Sequence, residues 1–255
     1  MEKLKRCSMC GSTKLILLDE EQQQYKCHAC LKTFTMNAKR TACPAASVDG
    51  FSVTKRRSFF DNLMTATVEL HSYFDADIAA GTGFFISSTY LLTNAHVVTN
   101  CEGNGGTVES AIMVVGSNYE KDRRFIFDTV AYDLELDIAI LKLQEGSNGF
   151  VTMSREIFNG DRVYAIGNAR GEGLCIVDGI VSDVARTVGS NRYFMTSAIV
   201  TNGNSGCPVF GSNGTLLGMI TAGSRESVAM NYAIPSSILE EYIKKVEGSK
   251  QITIL

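Results

Sequence analysis

The chain has 255 residues, 45% of them hydrophobic and 20% charged, and its formal net charge is −3 at pH 7. This composition predicts a globular protein with one large domain, or a medium domain plus a small one. No stretch approaches the roughly 18 uninterrupted apolar residues of a membrane span, and the start, MEKLKRCSMCGS, lacks the apolar core of a signal peptide. We therefore expect a soluble, cytoplasmic protein without a membrane span.

Four of the eight cysteines form two pairs with the spacing of metal ligands: Cys7-x2-Cys10 and Cys27-x2-Cys30. Two such thiolate pairs can close a tetrahedral zinc site, and a reducing compartment favours zinc over disulfides. The spacing therefore predicts a zinc ribbon over residues 1–40 with one structural Zn²⁺. Two chance CxxC pairs, a redox pair, or a Cys3His site that uses His28 are the alternatives.

The next segment, residues 41–57 with the sequence TACPAASVDGFSVTKRR, is small, polar and basic, which is typical of a linker. Residues 1–57 hold eleven Lys and Arg against five Asp and Glu, whereas the remainder holds thirteen against twenty-two. Such a basic head can contact a nucleic acid or a protein partner, or dock on its own acidic body. Two solvated surfaces explain the same asymmetry.

From Phe59 onward the pattern changes to short strand-like segments: LMTATVEL, GTGFFISSTYLLTNAH, AIMVVG, FIFDTVAYD, DIAILKL, DRVYAIG, LCIVDGIVSDVAR, YFMTSAIV, CPVF, TLLGMITA and MNYAIP. These eleven or twelve strands predict a mainly β domain over residues 58–255, built as barrels or a sandwich. Pro235 then opens a C-terminal helix, in which apolar residues recur at helical spacing: Ile238, Leu239, Tyr242, Ile243 and Val246.

One turn-like segment, TNGNSGCPVF from Thr201 to Phe210, places a serine between glycines. Glycine permits positive φ angles and lets amide N–H groups face a ligand, although a tight surface turn is the simpler explanation. If Ser205 is a nucleophile, it needs a base within hydrogen-bonding reach, and that base needs a group that holds its tautomer.

Three histidines are available as the base. His96 lies in LLTNAHVV, where an apolar strand breaks, so that its imidazole can face a cleft; His71 in VELHSYF is typical of a half-buried strand residue. Asp137 interrupts the apolar run LELDIAILKL, and a buried carboxylate requires a hydrogen-bond donor. Asp133 precedes the same run and is the competing carboxylate.

Chain order separates the known triad layouts. No histidine follows Ser205, which excludes the Ser-Asp-His order of α/β-hydrolases, and GNSGC lacks the last glycine of their GxSxG motif. A subtilisin order would need Asp75 or Asp77 before the histidine, on an α/β fold that these strands do not suggest. His96, Asp137 and Ser205 follow one another in the chymotrypsin order.

The motifs TNAHVV, DIAILKL, AIGNARGEG followed by GIVS, and TNGNSGCPVF resemble the trypsin-like protease domain of the HtrA/Deg family, over about residues 60–240. The resemblance implies a serine endopeptidase with two six-stranded β-barrels and a catalytic cleft between them. It implies that His96 is the general base, that Asp137 orients it, and that Ser205 attacks the scissile carbonyl.

The resemblance also implies how substrate is held. By the resemblance, the backbone amides of Gly203 and Ser205 are expected to form the oxyanion hole. Further substrate-binding positions match by motif: Thr221, Ala222 and Gly223 on the strand that pairs with the substrate backbone, and Ile199 and Ala229 in the primary specificity pocket. Neither pocket residue is acidic, so we expect cleavage after small or medium aliphatic residues.

The chain departs from the family pattern in three places. Cys207 stands where the family has the second glycine after the serine. We expect no PDZ domain after the helix that Pro235 opens, and we expect a zinc ribbon in place of the usual export signal or membrane anchor. Two alternatives follow. In the first, the protease fold has lost turnover and serves as a binding module, and Cys207 is the residue that supports this. In the second, the main function belongs to the zinc ribbon, which binds a nucleic acid or a partner.

Overall fold

A computed structural model describes residues 15–19, 24–27, 33–35, 53–75, 77–101, 108–118, 124–146, 148–223 and 230–255. The chain divides into two compact units, Met1–Phe51 and Ser52–Leu255. In the first unit, β1 (Leu15–Asp19), β2 (Gln24–Cys27) and β3 (Thr33–Thr35) form an antiparallel sheet in that order. Three of the predicted zinc ligands, Cys7, Cys10 and Cys30, lie outside the described residues, and of Cys27 only the backbone is described.

The second unit opens with helix α1 (Val53–Ala66). The sequence analysis placed residues 53–57 in a linker and residues 63–66 in a strand, so both assignments differ from the structure. Apolar residues at positions 59, 60, 63 and 64 recur at helical spacing, and Leu63 and Met64 are buried. The helix begins with VTKRR, whose basic residues interrupt the apolar pattern, so its helical period is difficult to recognise in the sequence.

Six strands then close into a first barrel: β4 (Thr67–Tyr73), β5 (Ile78–Phe85), β6 (Tyr90–Thr93), β9 (Met113–Ser117), β10 (Arg124–Asp133) and β11 (Ile138–Leu143). Their order around the barrel is β10-β11-β6-β5-β4-β9. Between β6 and β9 the chain forms the short helix α2 (Ala95–Val98) and a two-stranded sheet of β7 (Thr99–Cys101) and β8 (Val108–Ser110).

A second barrel contains β12 (Arg162–Gly167), β13 (Cys175–Val188), β14 (Asn191–Thr196), β15 (Pro208–Gly211), β16 (Leu216–Gly223) and β17 (Asn231–Pro235), in the order β12-β13-β14-β17-β16-β15. Helix α3 (Ser236–Lys250) follows directly. The mainly β class, the chymotrypsin-like pair of six-stranded barrels and the C-terminal helix are therefore confirmed.

The described residues of this unit form three apolar cores: one inside each barrel, and one between the barrels that also receives α3. Strand β11 shows how one segment serves two of them. Ile138 and Ile140 point into the core between the barrels, whereas Ala139, Leu141 and Leu143 point into the first barrel, because successive side chains of a strand face opposite sides. Among the described residues, no helix is long and apolar enough to cross a membrane.

Candidate active site

His96 and Asp137 form a close pair at one end of the first barrel. His96 lies in α2, directly after β6 ends, and its Nδ1 is 2.9 Å from each carboxylate oxygen of Asp137. Asp137 Oδ1 also accepts the backbone N–H of His96 at 3.1 Å. Because an ionised carboxylate can only accept hydrogen bonds, a neutral His96 in this geometry carries its hydrogen on Nδ1 and a free lone pair on Nε2.

Two residues that the sequence analysis did not connect to Asp137 hold it in place. The hydroxyl of Thr221, on β16 of the second barrel, donates to Asp137 Oδ2. The side-chain amide of Asn94 donates to the backbone carbonyl of Asp137 at 2.9 Å. Thr221 was predicted only as a backbone partner of substrate. The contact of Asn94 could have been suspected from the sequence, because an asparagine next to an apolar strand needs hydrogen-bond partners when it is buried.

The competing candidates do not join this pair. Asp133 Oδ1 accepts the backbone N–H groups of Glu135 and Leu136, so its carboxylate caps the turn between β10 and β11. His71 is half-buried in β4, as the sequence predicted.

Ser205 lies in the loop between β14 and β15, flanked by two glycines with positive φ angles. Gly203 has φ 92° and Gly206 has φ 81°, a region that residues with a side chain rarely adopt. A Cβ added to Gly206 would lie 2.5 Å from Thr93 Oγ1 and 3.2 Å from the backbone nitrogen of Asn94. Asn94 is two residues from His96, so the serine loop of the second barrel packs against the segment that carries the histidine.

The peptide groups of this loop are oriented by hydrogen bonds at their carbonyls. Asn202 O accepts the N–H of Arg170 at 2.7 Å, and Asn204 O accepts the N–H of Cys207 at 3.0 Å. In a trans peptide the N–H points opposite to the C=O, so the N–H groups of Gly203 and Ser205 point away from these partners. Neither N–H donates to an acceptor within the described part of the chain.

Cys207 does not project toward the serine. Its side chain is fully buried in the core of the second barrel, and a Cβ added to Gly167 would lie 2.8 Å from Cys207 Cβ. Burial raises the pKa of the Cys207 thiol well above its usual range. The cysteine is therefore an inert core residue, accommodated by the absence of a side chain at Gly167, and the loop geometry gives no support to the alternative that rested on it.

The predicted substrate-binding residues are only partly described. Ile199, in the segment before the serine loop, is 54% exposed and presents an uncovered apolar side chain. Ala229 lies outside the described residues, and of Ala222 and Gly223 the structure describes only the strand. A cavity of about 690 Å³ lies beside α3 and the β13–β14 hairpin, and none of these residues lines it.

Two barrels of this topology, with a His–Asp pair on one and a glycine-flanked serine on the other, define the chymotrypsin-like class. Residues 81–219 match the family model of the trypsin-like peptidase domain. The chain therefore belongs to the trypsin-like peptidase family.

Relatives within this family are named as serine endoproteases. A DegP-like periplasmic serine endoprotease of Brucella suis is 35% identical over 183 residues, which cover 66% of this chain and 34% of that protein. A DegP-like protein of Chlamydia trachomatis is 29% identical over 187 residues, covering 69% and 35%. The chain thus spans about a third of the length of these curated relatives.

Solved structures show the same similarity. The HtrA-type protease AlgW with a tripeptide superposes with a TM-score of 0.66 at 27% identity, covering 75% of this chain and 62% of that one. A serine endoprotease from Yersinia pestis superposes with a TM-score of 0.64 at 25% identity, covering 78% and 68%. Similarity to HtrA/DegP-type proteases is therefore confirmed in both sequence and structure.

The expected cytoplasmic location is wrong by this comparison, because the relatives are named periplasmic. That expectation rested on hydropathy near the start of the sequence and on cysteine spacing, neither of which distinguishes barrels of this kind in one compartment from those in another. The preference for zinc over disulfides had assumed a reducing compartment and loses that support.

Proposed function

We propose that this chain is a serine endopeptidase of the HtrA/Deg type that hydrolyses peptide bonds in protein substrates. The observation that carries the proposal is the His96–Asp137 pair on the first barrel, at the place where the Ser205 loop of the second barrel packs against Thr93 and Asn94. Membership of the trypsin-like peptidase family supports it.

In this mechanism His96 is the base that activates Ser205. Its Nδ1–H is directed at Asp137, which leaves Nε2 to take the proton of the serine hydroxyl as Oγ attacks the scissile carbonyl. Asp137 stabilises the imidazolium that forms, and His96 returns the proton to the leaving amine. The His96 side chain is 49% exposed, so substrate and the deacylating water can reach it.

The tetrahedral intermediate carries negative charge on the former carbonyl oxygen. We assign the N–H groups of Gly203 and Ser205 as its donors, since the carbonyls of the same peptide groups, Asn202 O and Asn204 O, are bound to Arg170 and Cys207 on the opposite side. Donors held in advance cost no reorganisation when the charge develops.

The proposal is tested by steady-state hydrolysis of a fluorogenic peptide. Replacing Ser205 or His96 by alanine is expected to lower kcat at least about 10³-fold while leaving the circular dichroism spectrum unchanged. Undiminished hydrolysis by pure Ser205→Ala protein would exclude the mechanism. Wild-type protein that binds peptides without cleaving them would instead establish the binding-module alternative.

For the substrate class, we propose cleavage after small or medium aliphatic residues such as Val, Ala, Ile or Leu. The exposed Ile199 side chain supports an apolar pocket, and Ala229 is the other residue that we assign to it. Each methylene in such a pocket changes discrimination by about 1 to 3 kcal/mol, so the preference should be graded. A proteome-derived peptide library cut mainly after Lys or Arg would contradict this assignment.

We further propose that the amino-terminal unit is a zinc ribbon in which Cys7, Cys10, Cys27 and Cys30 bind one Zn²⁺. In the β1–β2 pair, Leu15 lies opposite Cys27. In the sequence the first CxxC precedes β1, and the second begins at Cys27, the last residue of β2. Four thiolates leave no open position for water, so the ion would stabilise the unit and take no part in hydrolysis.

A further inference from the structure

Thr82 connects the first barrel to the serine loop of the second. It lies in β5 and is fully buried. Its backbone N–H donates to Ser205 O at 2.8 Å, and its hydroxyl donates to Gly203 O at 2.9 Å. The same hydroxyl accepts the N–H of Asn168 at 2.9 Å, and Thr82 O accepts the hydroxyl of Thr93 at 2.7 Å.

These contacts act on the peptide groups next to Gly203. Glycine adopts positive and negative φ angles at similar cost, so Gly203 does not by itself select the φ of 92° that it has. The carbonyl before it, Asn202 O, is held by Arg170, and the carbonyl after it is held by the Thr82 hydroxyl. With both adjoining peptide planes held, the direction of the Gly203 N–H is set.

The Thr82 hydroxyl also binds the loop that supplies the other anchor. Asn168, whose N–H it accepts, is the residue before the turn Ala169–Gly171 that contains Arg170. A Cβ on Gly203 would collide with Asn168 O, so the two loops are in direct contact. One hydroxyl therefore bridges the serine loop and the loop that supports it, from a strand of the opposite barrel.

We propose that Thr82 is a positioning residue of the active site, whose hydroxyl holds the Gly203 carbonyl and thereby fixes the loop so that the N–H groups of Gly203 and Ser205 face the developing oxyanion. This inference rests on the proposed peptidase function. It assigns to the first barrel, which carries the base, a second task in orienting the oxyanion donors.

Two matched pairs of variants isolate the hydroxyl in the full-length protein. Wild type and Thr82→Val form the first pair, in which a methyl group of similar volume replaces the hydroxyl. Thr82→Ala and Thr82→Ser form the second pair and differ from each other only by the hydroxyl. Thr67→Val is the control, because Thr67 is also buried in the first barrel but its hydroxyl bonds Leu63 O in α1. For each variant, kcat, KM, the labelling rate with a fluorophosphonate and the thermal midpoint are measured.

We expect Thr82→Val and Thr82→Ala to lower kcat and the labelling rate by about 10-fold or more, toward the 10²- to 10³-fold that loss of an oxyanion donor costs. KM should stay within about threefold, and Thr82→Ser should recover most of the rate. A general loss of stability would not produce this split in folded protein, and Thr67→Val should keep its kcat.

Thr82→Val with wild-type kcat, or equal losses in Thr82→Ala and Thr82→Ser, would overturn the assignment. If Thr82→Val does not fold, the alanine and serine pair decides. Active wild-type enzyme with inactive Ser205→Ala protein keeps the proposed function in place, whatever the Thr82 variants do. Wild-type protein that neither cleaves peptide nor takes the probe would remove both.

Discussion

Asp137 accepts hydrogen bonds from side chains of both barrels. It has φ 56°, a left-handed conformation that Asp tolerates better than most residues. This conformation directs its carboxylate at His96 from the first barrel and at Thr221 from the second. The carboxylate therefore accepts three donors, two from His96 and one from Thr221.

Asp137→Asn tests whether this carboxylate sets the tautomer of His96. An amide can donate to Nδ1 and so favour the wrong tautomer, and we expect kcat for peptide hydrolysis to fall about 10³- to 10⁴-fold. Asp133→Asn is the matched control, because its side-chain oxygen can still cap the turn and the residue does not contact His96. Equal losses in the two variants would point to turn disruption and not to the histidine.

The catalytic residue types can be predicted from the sequence, but the contacts that depend on how the strands pair cannot. His96 and Asp137 were predicted as a pair because an activated serine needs a base and the base needs an orienting group, and the structure brings them together. The contacts of Thr221 and Thr82 were not predicted, because a buried threonine is common in strands and only the pairing of strands shows what its hydroxyl reaches. The side chain of Cys207 faces the core, so this residue does not support a loss of turnover.

Among the elements, α1 links the two barrels. It leads into β4 of the first barrel, yet the ring of Phe60 packs edge-on against Tyr164 in β12 of the second, with centroids 5.1 Å apart. Phe59 contacts Gly214 in the turn between β15 and β16. Thr65 O also accepts the side-chain amide of Asn148 at 2.8 Å.

Phe60→Ala should therefore destabilise the whole barrel unit and not merely fray its end. We expect a loss of about 2 to 3 kcal/mol in the free energy of unfolding, less than for a fully buried phenylalanine. Equilibrium denaturation in urea measures it, with Asn62→Ala on the exposed face of the same helix as the control, expected within about 0.5 kcal/mol of wild type. Equal stability of the Phe60 variant and wild type would show that the contacts of Phe60 do not stabilise the barrels.

The strands of the barrels were easier to predict than helix α1. The segment DIAILKL is a nearly continuous apolar run, as expected of a strand whose two faces are buried in different cores, and it forms β11. The period of α1 is spread over only a few apolar positions behind a basic start, so the sequence reading extended the strand pattern backward into residues 63–66.

On the scale of the whole molecule, the division at Phe51 and Ser52 separates the proposed metal unit from the barrels. We expect protein purified without oxygen to contain one zinc ion, and a Cys7→Ser, Cys10→Ser double variant to lose it. Peptide hydrolysis should change little, because a four-thiolate site has no catalytic position. Cys43→Ser, outside the two pairs, is the control and should retain the metal.

Elemental analysis by mass spectrometry decides this prediction. Absence of zinc, or disulfides joining the four cysteines, would contradict it. A truncated chain should begin at residue 52, because a start at residue 58 would remove the first five residues of α1. Loss of hydrolysis in chain 52–255 would show that the amino-terminal unit is needed for catalysis.

The most direct measurement of the central claim is covalent labelling with a fluorophosphonate, followed by mass spectrometry of the modified peptide. The probe reacts much faster with a serine that is activated by a base and faces oxyanion donors than with an ordinary serine. We predict one adduct on wild-type protein, located at Ser205, and no adduct on the Ser205→Ala or His96→Ala variants. An adduct at another residue, or folded wild-type protein that takes no label, would contradict the account.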